Sequence, residues 1–542
     1  MVTAIPIVTK RWRGGRKTRP PLLVLLPSLL IAAIMVVPVA YLVIRASDTG
    51  NEIWGLVLRR RTFEILQNTV VLAITVGTAS IAIGVPLAWL TERTDLPWRR
   101  FWATLAPLPL VIPSYVGALT VVAALGPRGL LQGELERSFG VERLPEIYGW
   151  FGAWLTLTLF TFPYVFLSVR AALRGLDPAL EEAARCLGHG VWRTFFLTTL
   201  PQLRPAMIAG VLLTSLYTIS DFGVVTLLRY DAFTRAIYVQ YRASFDRTLA
   251  AALALILVGM ALLLLVLEAR LRGRAAYYRI GAGAARRTRP IALRRGRIPA
   301  LLFCTVVFVM SLGVPIGVLC YWLERSLRRG DALPDLGGAA LHSVTVGAWA
   351  AGGAAICALP VALLAVRFRG RTSRWIETIC YLGYGLPGIV IALACVFIGA
   401  RYLTGLYQTL PMMILAYVIR FFPQALGATR TSLLQISPRL EEAARNLGRT
   451  TGGAVAAVTV PLARSGIVAG AGLVFLTVMK ELPITLLLSP TEYRTLATDV
   501  WSAAGSGSYG KAAAPALLLV GISAIPTLML VARDRIKQRD TV

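Results

Sequence analysis

The sequence predicts an all-α polytopic membrane protein with about 12 transmembrane helices in two parallel six-helix repeats. Its residues are 56% hydrophobic and only 15% charged, and its mean hydropathy is +0.67, whereas about a quarter of the residues in soluble domains are charged. Apolar runs of about 20 residues, the length that crosses a bilayer, recur along the chain. A polar phrase also occurs twice, as LEEAARCLG at 180–188 and LEEAARNLG at 440–448.

Twelve apolar segments are long enough to be membrane spans. The first exceeds the apolar core of a signal peptide, which has about 7–15 residues, so we expect it to remain a span. The predicted spans are 21–45, 67–91, 101–125, 150–172, 203–224, 248–269, 299–323, 342–366, 376–400, 408–432, 463–484 and 512–532.

The net charge of +29 reflects membrane topology rather than a nucleic-acid partner. With the N-terminus in the cytoplasm, about two thirds of the 56 Lys and Arg residues fall on cytoplasmic segments, which is the positive-inside pattern. The densest basic stretches, 10–19 and 270–297, then adjoin anionic lipid. We therefore expect both termini in the cytoplasm, contact with membrane lipid and no nucleic-acid partner.

Cysteine and histidine usage gives no sign of a metal site. The six cysteines form no CxxC pair, and most fall in or beside predicted spans, as small apolar residues do. The two histidines are too few for a histidine metal site.

The repeated phrase is part of a duplication of most of the chain. Arg170 matches Arg430 at an offset of 260 residues, whereas Pro113 matches Pro387 at an offset of 274, so the first repeat carries 14 extra residues in an external loop. Six spans return the chain to the same side, so the repeats run parallel. The predicted domains are a basic cytoplasmic N-terminus (1–20), a first repeat (21–270), an Arg-rich cytoplasmic linker (271–298), a second repeat (299–533) and a cytoplasmic tail (534–542).

Each copy of the phrase lies on the cytoplasmic side, between the fourth and fifth spans of its repeat. Asp177 or Ser437 is positioned to cap a short helix that begins at a proline, and a glycine at the end of the phrase suits a helix C-cap. An apolar stripe follows the i, i+3, i+4, i+7 spacing in both copies. The stripe residues are Leu180, Ala183, Ala184 and Leu187, then Leu440, Ala443, Ala444 and Leu447. Such a stripe packs either against its own bundle or against a separate protein.

The two phrases resemble the signature of the membrane subunits of binding-protein-dependent ABC importers. That signature is Glu-Ala-Ala, three residues, Gly, nine residues and Ile-x-Leu-Pro. The matching residues here are Glu182, Ala183, Ala184, Gly188 and Pro201 in the first copy, and Glu442, Ala443, Ala444, Gly448 and Pro461 in the second. The Ile slot holds Thr198 or Val458, and the Leu slot of the second copy holds Val460.

The resemblance implies the transmembrane fold of type I importers and a separate, homodimeric ATPase. The segments 178–188 and 438–448 would be coupling helices that insert into a groove of the ATPase. Glu182 and Glu442 would orient that contact, and Gly188 and Gly448 would form the corner. Adjacent Glu181 and Glu441 are included among the coupling residues, with a solvated helix face as the competing interpretation.

The chain itself shows no catalytic motif. The stretch GSGSYGKA at 505–512 approaches a phosphate-binding loop, but Ala512 stands where a hydroxyl residue would bind Mg²⁺, and a membrane span follows. We therefore predict a non-enzymatic subunit without a cofactor of its own, with ATP and Mg²⁺ on the partner ATPase.

Two acidic residues are candidates for the translocation path. Asp221 and Glu481 occupy equivalent positions at the ends of the fifth and eleventh spans, and charged residues there either face a pathway or pair structurally. Arg420 in the tenth span and Lys480 are possible counter-ions. The two interpretations stay open, and no fixed metal site is predicted.

The stretch 480–501, KELPITLLLSPTEYRTLATDVW, is similar to the C-terminal half of ferric-iron permeases, which are also fused double permeases. The resemblance implies a bacterial inner-membrane permease that receives Fe³⁺ from an extracytoplasmic binding protein. Fe³⁺ prefers oxygen ligands, as carboxylates and tyrosines provide. Thiamine, phosphonate and polyamine permeases remain alternatives within the class. A secondary carrier of two six-helix halves is the alternative from another class, although it needs no docking phrase between spans four and five.

Overall fold

The computed structural model confirms an all-α membrane protein. It describes residues 20–47, 58–127, 129–140, 145–243, 248–272, 290–332, 334–368 and 370–539, together with Gly55. The basic stretch 10–19 and most of the predicted linker lie outside the described residues. Within the described ranges, the regular elements are helices, apart from one isolated bridge between Thr94 and Ile291.

The first repeat contains twelve α-helices in its described part. They are α1 (Leu22–Ser47), α2 (Arg60–Arg93), α3 (Arg99–Leu105), α4 (Ser114–Leu125), α5 (Leu130–Phe139), α6 (Trp150–Gly175), α7 (Pro178–Cys186), α8 (Val191–Thr194), α9 (Leu200–Ser220), α10 (Gly223–Leu227), α11 (Phe233–Ala243) and α12 (Thr248–Arg272). A π-helical turn, Phe195–Thr199, joins α8 to α9.

The second repeat follows the same order in its described part. It comprises α13 (Arg297–Phe308), α14 (Val314–Arg328), α15 (Leu336–Arg367), α16 (Arg371–Leu382), α17 (Gly388–Arg401), α18 (Leu410–Gln435), α19 (Pro438–Asn446), α20 (Thr451–Ala454), α21 (Val460–Met479), α22 (Pro483–Leu488), α23 (Leu496–Gly505) and α24 (Tyr509–Arg539). Here the π-helical turn Val455–Thr459 joins α20 to α21. Another π-helical turn, Val309–Gly313, joins α13 to α14.

The described helices match most of the twelve predicted spans. Ten described helices or helix runs are long and apolar enough to cross a membrane, and a bent pair makes an eleventh. The predicted span 512–532 lies on α24, which is apolar from Tyr509 to Ala524. The 14 extra residues of the first repeat lie in the connection that contains the amphipathic helix α5.

The third predicted span of each repeat, at 101–125 and 376–400, is interrupted by a short turn rather than formed by one continuous helix. In the first repeat a 3₁₀ turn, Leu108–Val111, separates α3 from α4. In the second, α16 and α17 meet at an angle of 105°. Pro113 and Pro387 stand directly before α4 and α17, where proline provides no backbone N–H and disfavours helix in the preceding residue.

The chain forms two compact units that do not coincide with the sequence repeats. One comprises Met1–Val57, Gln240–Val258 and Asp335–Asp499, and the other comprises Leu58–Val239, Gly259–Pro334 and Val500–Val542. In the first unit, α1 packs against α15, α16 and α17, and Tyr41 lies 6.3 Å from the ring of Phe397. In the second, α14 packs against α24 and α4, and Trp322 lies 5.3 Å from Tyr509. The opening helix of each repeat therefore packs within the unit that holds most of the other repeat, whereas the predicted domain boundaries remain a prediction.

Candidate functional site

Two short helices, α7 and α19, carry the repeated phrase. Each begins at a proline, whose missing N–H costs nothing at the first helical position. The Asp177 carboxylate caps α7 by accepting a hydrogen bond from the Ala179 amide at 3.0 Å. Ser437 makes no side-chain cap, so that half of the capping prediction is wrong; its backbone carbonyl accepts from the Leu440 amide instead.

Both helices end in the same glycine corner. Gly188 has φ +82° and Gly448 has φ +88°, the left-handed region that glycine adopts without strain. The Gly188 amide donates to the Arg185 carbonyl at 3.0 Å, and the next amide donates to the Ala184 carbonyl at 3.2 Å. The second copy repeats both bonds at 3.0 and 3.2 Å. This pair of bonds defines a Schellman motif, which turns the chain sharply and satisfies two terminal carbonyls.

The apolar stripe of each helix faces away from the rest of its unit. Leu180 and Leu440 are about half exposed, whereas Leu187 and Leu447 are 80% and 86% exposed. Ala183 and Ala443 are also exposed, and only Ala184 and Ala444 turn inward. Glu182 and Glu442 lie on the exposed side as well. The leucines therefore contribute little to the packing of their own unit, and each helix presents an exposed apolar face bordered by a carboxylate.

Glu181 does not lie on a solvated helix face, so that interpretation is wrong. Its side chain is 7% exposed, and its Oε1 atom lies 3.5 Å from Nη2 of Arg93, at the end of α2. The Thr199 hydroxyl donates to the same oxygen at 3.2 Å. Arg93 also donates to the Leu173 carbonyl, near the end of α6, at 2.9 Å. The carboxylate points inward because the cation and the hydroxyl that pair with it both lie in the membrane bundle.

The second repeat builds the same cluster independently. Glu441 accepts hydrogen bonds from Nε of Arg367 at 2.9 Å and from the Thr459 hydroxyl at 2.8 Å. Arg367 ends α15 and also donates to the Ile436 carbonyl, just beyond α18, at 3.2 Å. The side chains of both members of this ion pair are mostly buried. We call these two sets, Arg93–Glu181–Thr199 and Arg367–Glu441–Thr459, the clamps.

The hydroxyl of each clamp comes from the last residue of a π-helical turn. The helices α9 and α21 have Pro201 and Pro461 at their second position. Because proline has no amide hydrogen, it cannot close the usual i→i−4 bond there, which favours a wider turn before it. The prolines of the sequence signature therefore lie next to the turns that deliver Thr199 and Thr459.

The end of the interrepeat linker is attached beside the first clamp. The Ile291 amide donates to the Arg93 carbonyl at 2.8 Å, and the Leu293 amide donates to the Asp95 carboxylate at 2.8 Å. Arg297 forms an ion pair with Asp95. That guanidinium, together with the Leu293 amide, holds the pKa of the Asp95 carboxyl below its usual range. Residues 273–289 of the linker lie outside the described residues.

The proposed path residues lie at helix breaks. Asp221 follows α9, is buried, and accepts a hydrogen bond from the Val224 amide at 2.8 Å, which caps α10. Glu481 follows α21 and forms an ion pair with Arg420 at 3.3 Å. A side chain at Gly388 would collide with both members of this pair, so the break before α17 brings backbone close to it. The observed contacts of both acids are structural, while their role in a pathway remains a prediction.

Sequence reasoning missed four residues of the clamps: Arg93, Arg367, Thr199 and Thr459. A usable signal was present, because the arginines are separated by the 274-residue offset and the threonines by the 260-residue offset. A search for identical polar residues related by either offset would have identified these four residues. The stretch 505–512, by contrast, covers the end of α23, a short turn and the start of α24. The strand required before a phosphate-binding loop is absent from this described segment.

Comparison with known proteins places the chain in a family. Residues 80–277 and 354–536 match the family described as "Binding-protein-dependent transport system inner membrane component". These two matches cover most of the chain, one in each repeat. The chain therefore belongs to this family, as a fused double copy, and it is a multi-pass membrane subunit of a transport system rather than an enzyme.

Several characterised relatives are permease subunits. The chain is 34% identical over 516 residues to the Fe(3+)-transport system permease protein FbpB 2 of Haemophilus influenzae, a match that covers 94% of this chain and 98% of the relative. It is 24% identical to the ferric transport system permease protein FbpB of Actinobacillus pleuropneumoniae, over 84% of this chain and 69% of the relative. It is 27% identical to the sulfate transport system permease protein CysT of Escherichia coli, over 44% of this chain and 86% of the relative.

Proposed function

We propose that this chain is the membrane-spanning permease of a ferric-iron ABC importer. An extracytoplasmic binding protein delivers the iron, and a separate homodimeric ATPase, which holds ATP and Mg²⁺, supplies the energy. The observation that carries the proposal is the pair of equivalent cytoplasmic helices with exposed leucines, because two equivalent docking faces suit a two-fold partner. Glu181 and Glu441 are held inside the clamps, so Glu182 and Glu442 are the glutamates exposed at the proposed docking faces.

The choice of ferric iron rests on the extent of similarity. The match to the Haemophilus influenzae ferric permease runs almost end to end through both repeats. The match to the sulfate permease CysT covers less than half of this chain. The match to the molybdenum permease ModB of Escherichia coli is 35% identical and covers 27% of this chain. Transport of an oxyanion is therefore the second candidate function, supported by matches that cover less than half of the chain.

The proposed orientation puts both termini and both docking helices in the cytoplasm of a bacterial cell, with the chain in the inner membrane. The charge distribution supports it, because basic residues concentrate on the segments that this orientation places inside. We retain 21–270 and 299–533 as the two permease domains, since a family match falls largely within each.

Asp221, Glu481 and Arg420 are proposed to lie along the route of the cation. Each acid is buried at a break in the fifth helix of its repeat, where the helix interruption leaves backbone groups for ligands or water. Glu481→Gln nearly preserves size while removing charge, so uptake per folded molecule should fall. Unchanged uptake in a double variant that also carries Asp221→Asn would remove both acids from the path.

The decisive experiment is reconstitution into proteoliposomes with a candidate ATPase and a candidate binding protein from the same organism. Uptake of radioactive Fe³⁺, sulfate and molybdate is measured with ATP inside the vesicles and binding protein outside. We expect ATP-dependent accumulation of iron and background levels of both oxyanions. Accumulation of either oxyanion without iron would establish the second candidate, and ATP-independent uptake would contradict an ABC importer.

A further inference from the structure

We propose that Arg93 and Arg367 are positioning residues, which lock each coupling helix to the membrane helices so that ATPase motion reaches the bundle. The inference rests on the proposed function and extends it. The docking face decides whether the ATPase binds, whereas the clamp decides whether binding moves the transport helices.

A single guanidinium joins several elements of the first repeat. Arg93 ends α2, donates to the backbone at the end of α6 and pairs with Glu181 on α7. Thr199 then ties the same carboxylate to the start of α9. A nine-residue helix is therefore fixed to the second, fourth and fifth spans at a single point. Without that point, α7 would be attached to the bundle mainly through its two chain ends.

The same cluster occurs in both repeats. Arg367, Glu441 and Thr459 repeat it with shorter distances to the carboxylate, while the arginine donates to the carbonyl of Ile436 rather than to that of the Leu173 equivalent. A neighbouring ion pair is not repeated in this way. Arg170 pairs with Glu92 of α2 at 2.5 Å, whereas its counterpart Arg430 pairs with Glu377 of α16 at 2.7 Å. The clamps contain the same three residue types in both repeats, whereas the acidic partner of the neighbouring ion pair comes from a different helix in each repeat.

The clamp is buried, whereas the proposed docking face is exposed. The Glu181 and Arg93 side chains are almost fully buried, so a partner protein cannot reach them without disrupting the unit. The exposed leucines, by contrast, face away from the rest of the unit. Loss of the clamp should therefore leave the docking face chemically intact while loosening the helix that carries it.

The test compares Glu181→Gln with Glu92→Gln. Glu92 is the matched control because its ion pairs with Arg170 and Arg174 join α2 to α6, and neither of these partners lies on α7. Spin labels are placed on Cys186, which is exposed at the end of α7, and on an exposed site of α3 created by Arg100→Cys, with the other cysteines replaced. We expect a narrow distance distribution in the parent and in Glu92→Gln, and a clearly broader one in Glu181→Gln.

The functional arm measures ATP hydrolysis and iron uptake in the reconstituted importer. We expect Glu181→Gln to retain ATPase binding within about twofold, while uptake per ATP hydrolysed falls by about tenfold or more, within the usual range of coupling between sites. Equal broadening in Glu92→Gln, or unchanged distances and unchanged coupling in Glu181→Gln, overturns the proposal. If Glu181→Gln does not fold, Thr199→Val removes only one hydroxyl and should produce the same changes to a smaller degree.

The distance measurement requires neither the ATPase nor iron. A broadened distribution in Glu181→Gln with no ATPase binding to the parent would therefore refute the proposed function while the mechanical role of the clamp survives. A narrow distribution with normal coupling would refute the clamp and leave the proposed function in place.

Discussion

Replacement of the corner glycines should weaken ATPase docking through the backbone alone. A side chain at Gly188 would meet no atom within 4 Å, so a substitution causes no collision inside the chain. The cost comes from φ +82°, which an ordinary L-residue adopts at a cost of about 1–2 kcal/mol. If that strain is relieved by fraying α7, the docking-competent population falls by about 5–30-fold. Gly188→Val should therefore raise the dissociation constant for the ATPase by about that factor.

The series Gly188→Asn, Gly188→Ala and Gly188→Val distinguishes strain from side-chain size. Asparagine tolerates the left-handed region, so its variant should bind almost as tightly as the parent. Gly175→Val is the control, because Gly175 also has open space around it but ends α6 in a helical conformation. The affinity for the immobilised ATPase is measured with purified protein in nanodiscs. Equal weakening by asparagine and valine would refute the strain argument and indicate a steric clash with the partner.

Three further predictions concern topology, pH and a buried hydroxyl. Reporters fused after Val542 should read cytoplasmic, whereas reporters inserted at Gly140 or Gly505 should read external; an external C-terminus would overturn the orientation. The attachment of Asp95 to the linker should persist above the ordinary carboxyl pKa of about 4 and be lost as pH falls through its lowered pKa, because protonation removes the ion pair. Cleavage near Arg295, by a protease that remains active in acid, should become faster at low pH in the parent protein. The Asp95→Asn variant should be cleaved rapidly at every pH, and a parent cleavage rate that does not depend on pH would contradict this prediction. Tyr417→Phe should lower the free energy of unfolding by about 1 kcal/mol, since it removes the 2.6 Å bond to the Thr485 hydroxyl, and an unchanged denaturation midpoint would contradict it.

The fold class and the docking helices could be predicted because their signals are local. Span length and hydropathy predict membrane helices directly, and Gly188 lies where the helical pattern of its own segment ends. The breaks in the third spans were not predicted, although Pro113 and Pro387 were visible, because membrane helices often tolerate proline. Whether a proline bends a helix or breaks it depends on neighbours such as the Arg420–Glu481 pair behind Gly388.

The inward orientation of the Glu181 side chain could not be predicted from the sequence for a similar reason. Its helix has two adjacent glutamates, and the period of 3.6 residues puts them on different faces without saying which face is buried. That choice depends on Arg93 and Thr199, which are 88 and 18 residues away along the chain. The packing of α1 against helices of the second repeat is equally non-local. Local patterns therefore located the site, whereas contacts distant in sequence determined which of its residues face inward.

The most direct test of the central assignment removes the docking faces and measures ATPase binding. The change replaces by serine the four exposed leucines at 180, 187, 440 and 447, which make no contribution to the clamps. Burying a leucine contributes about 1.5–3 kcal/mol, so loss of all four should abolish measurable association with the ATPase. The variant should still insert, fold and show the parental melting temperature, because these side chains are exposed in the free subunit. A folded quadruple variant that binds the ATPase with parental affinity would contradict the assignment of α7 and α19 as coupling helices.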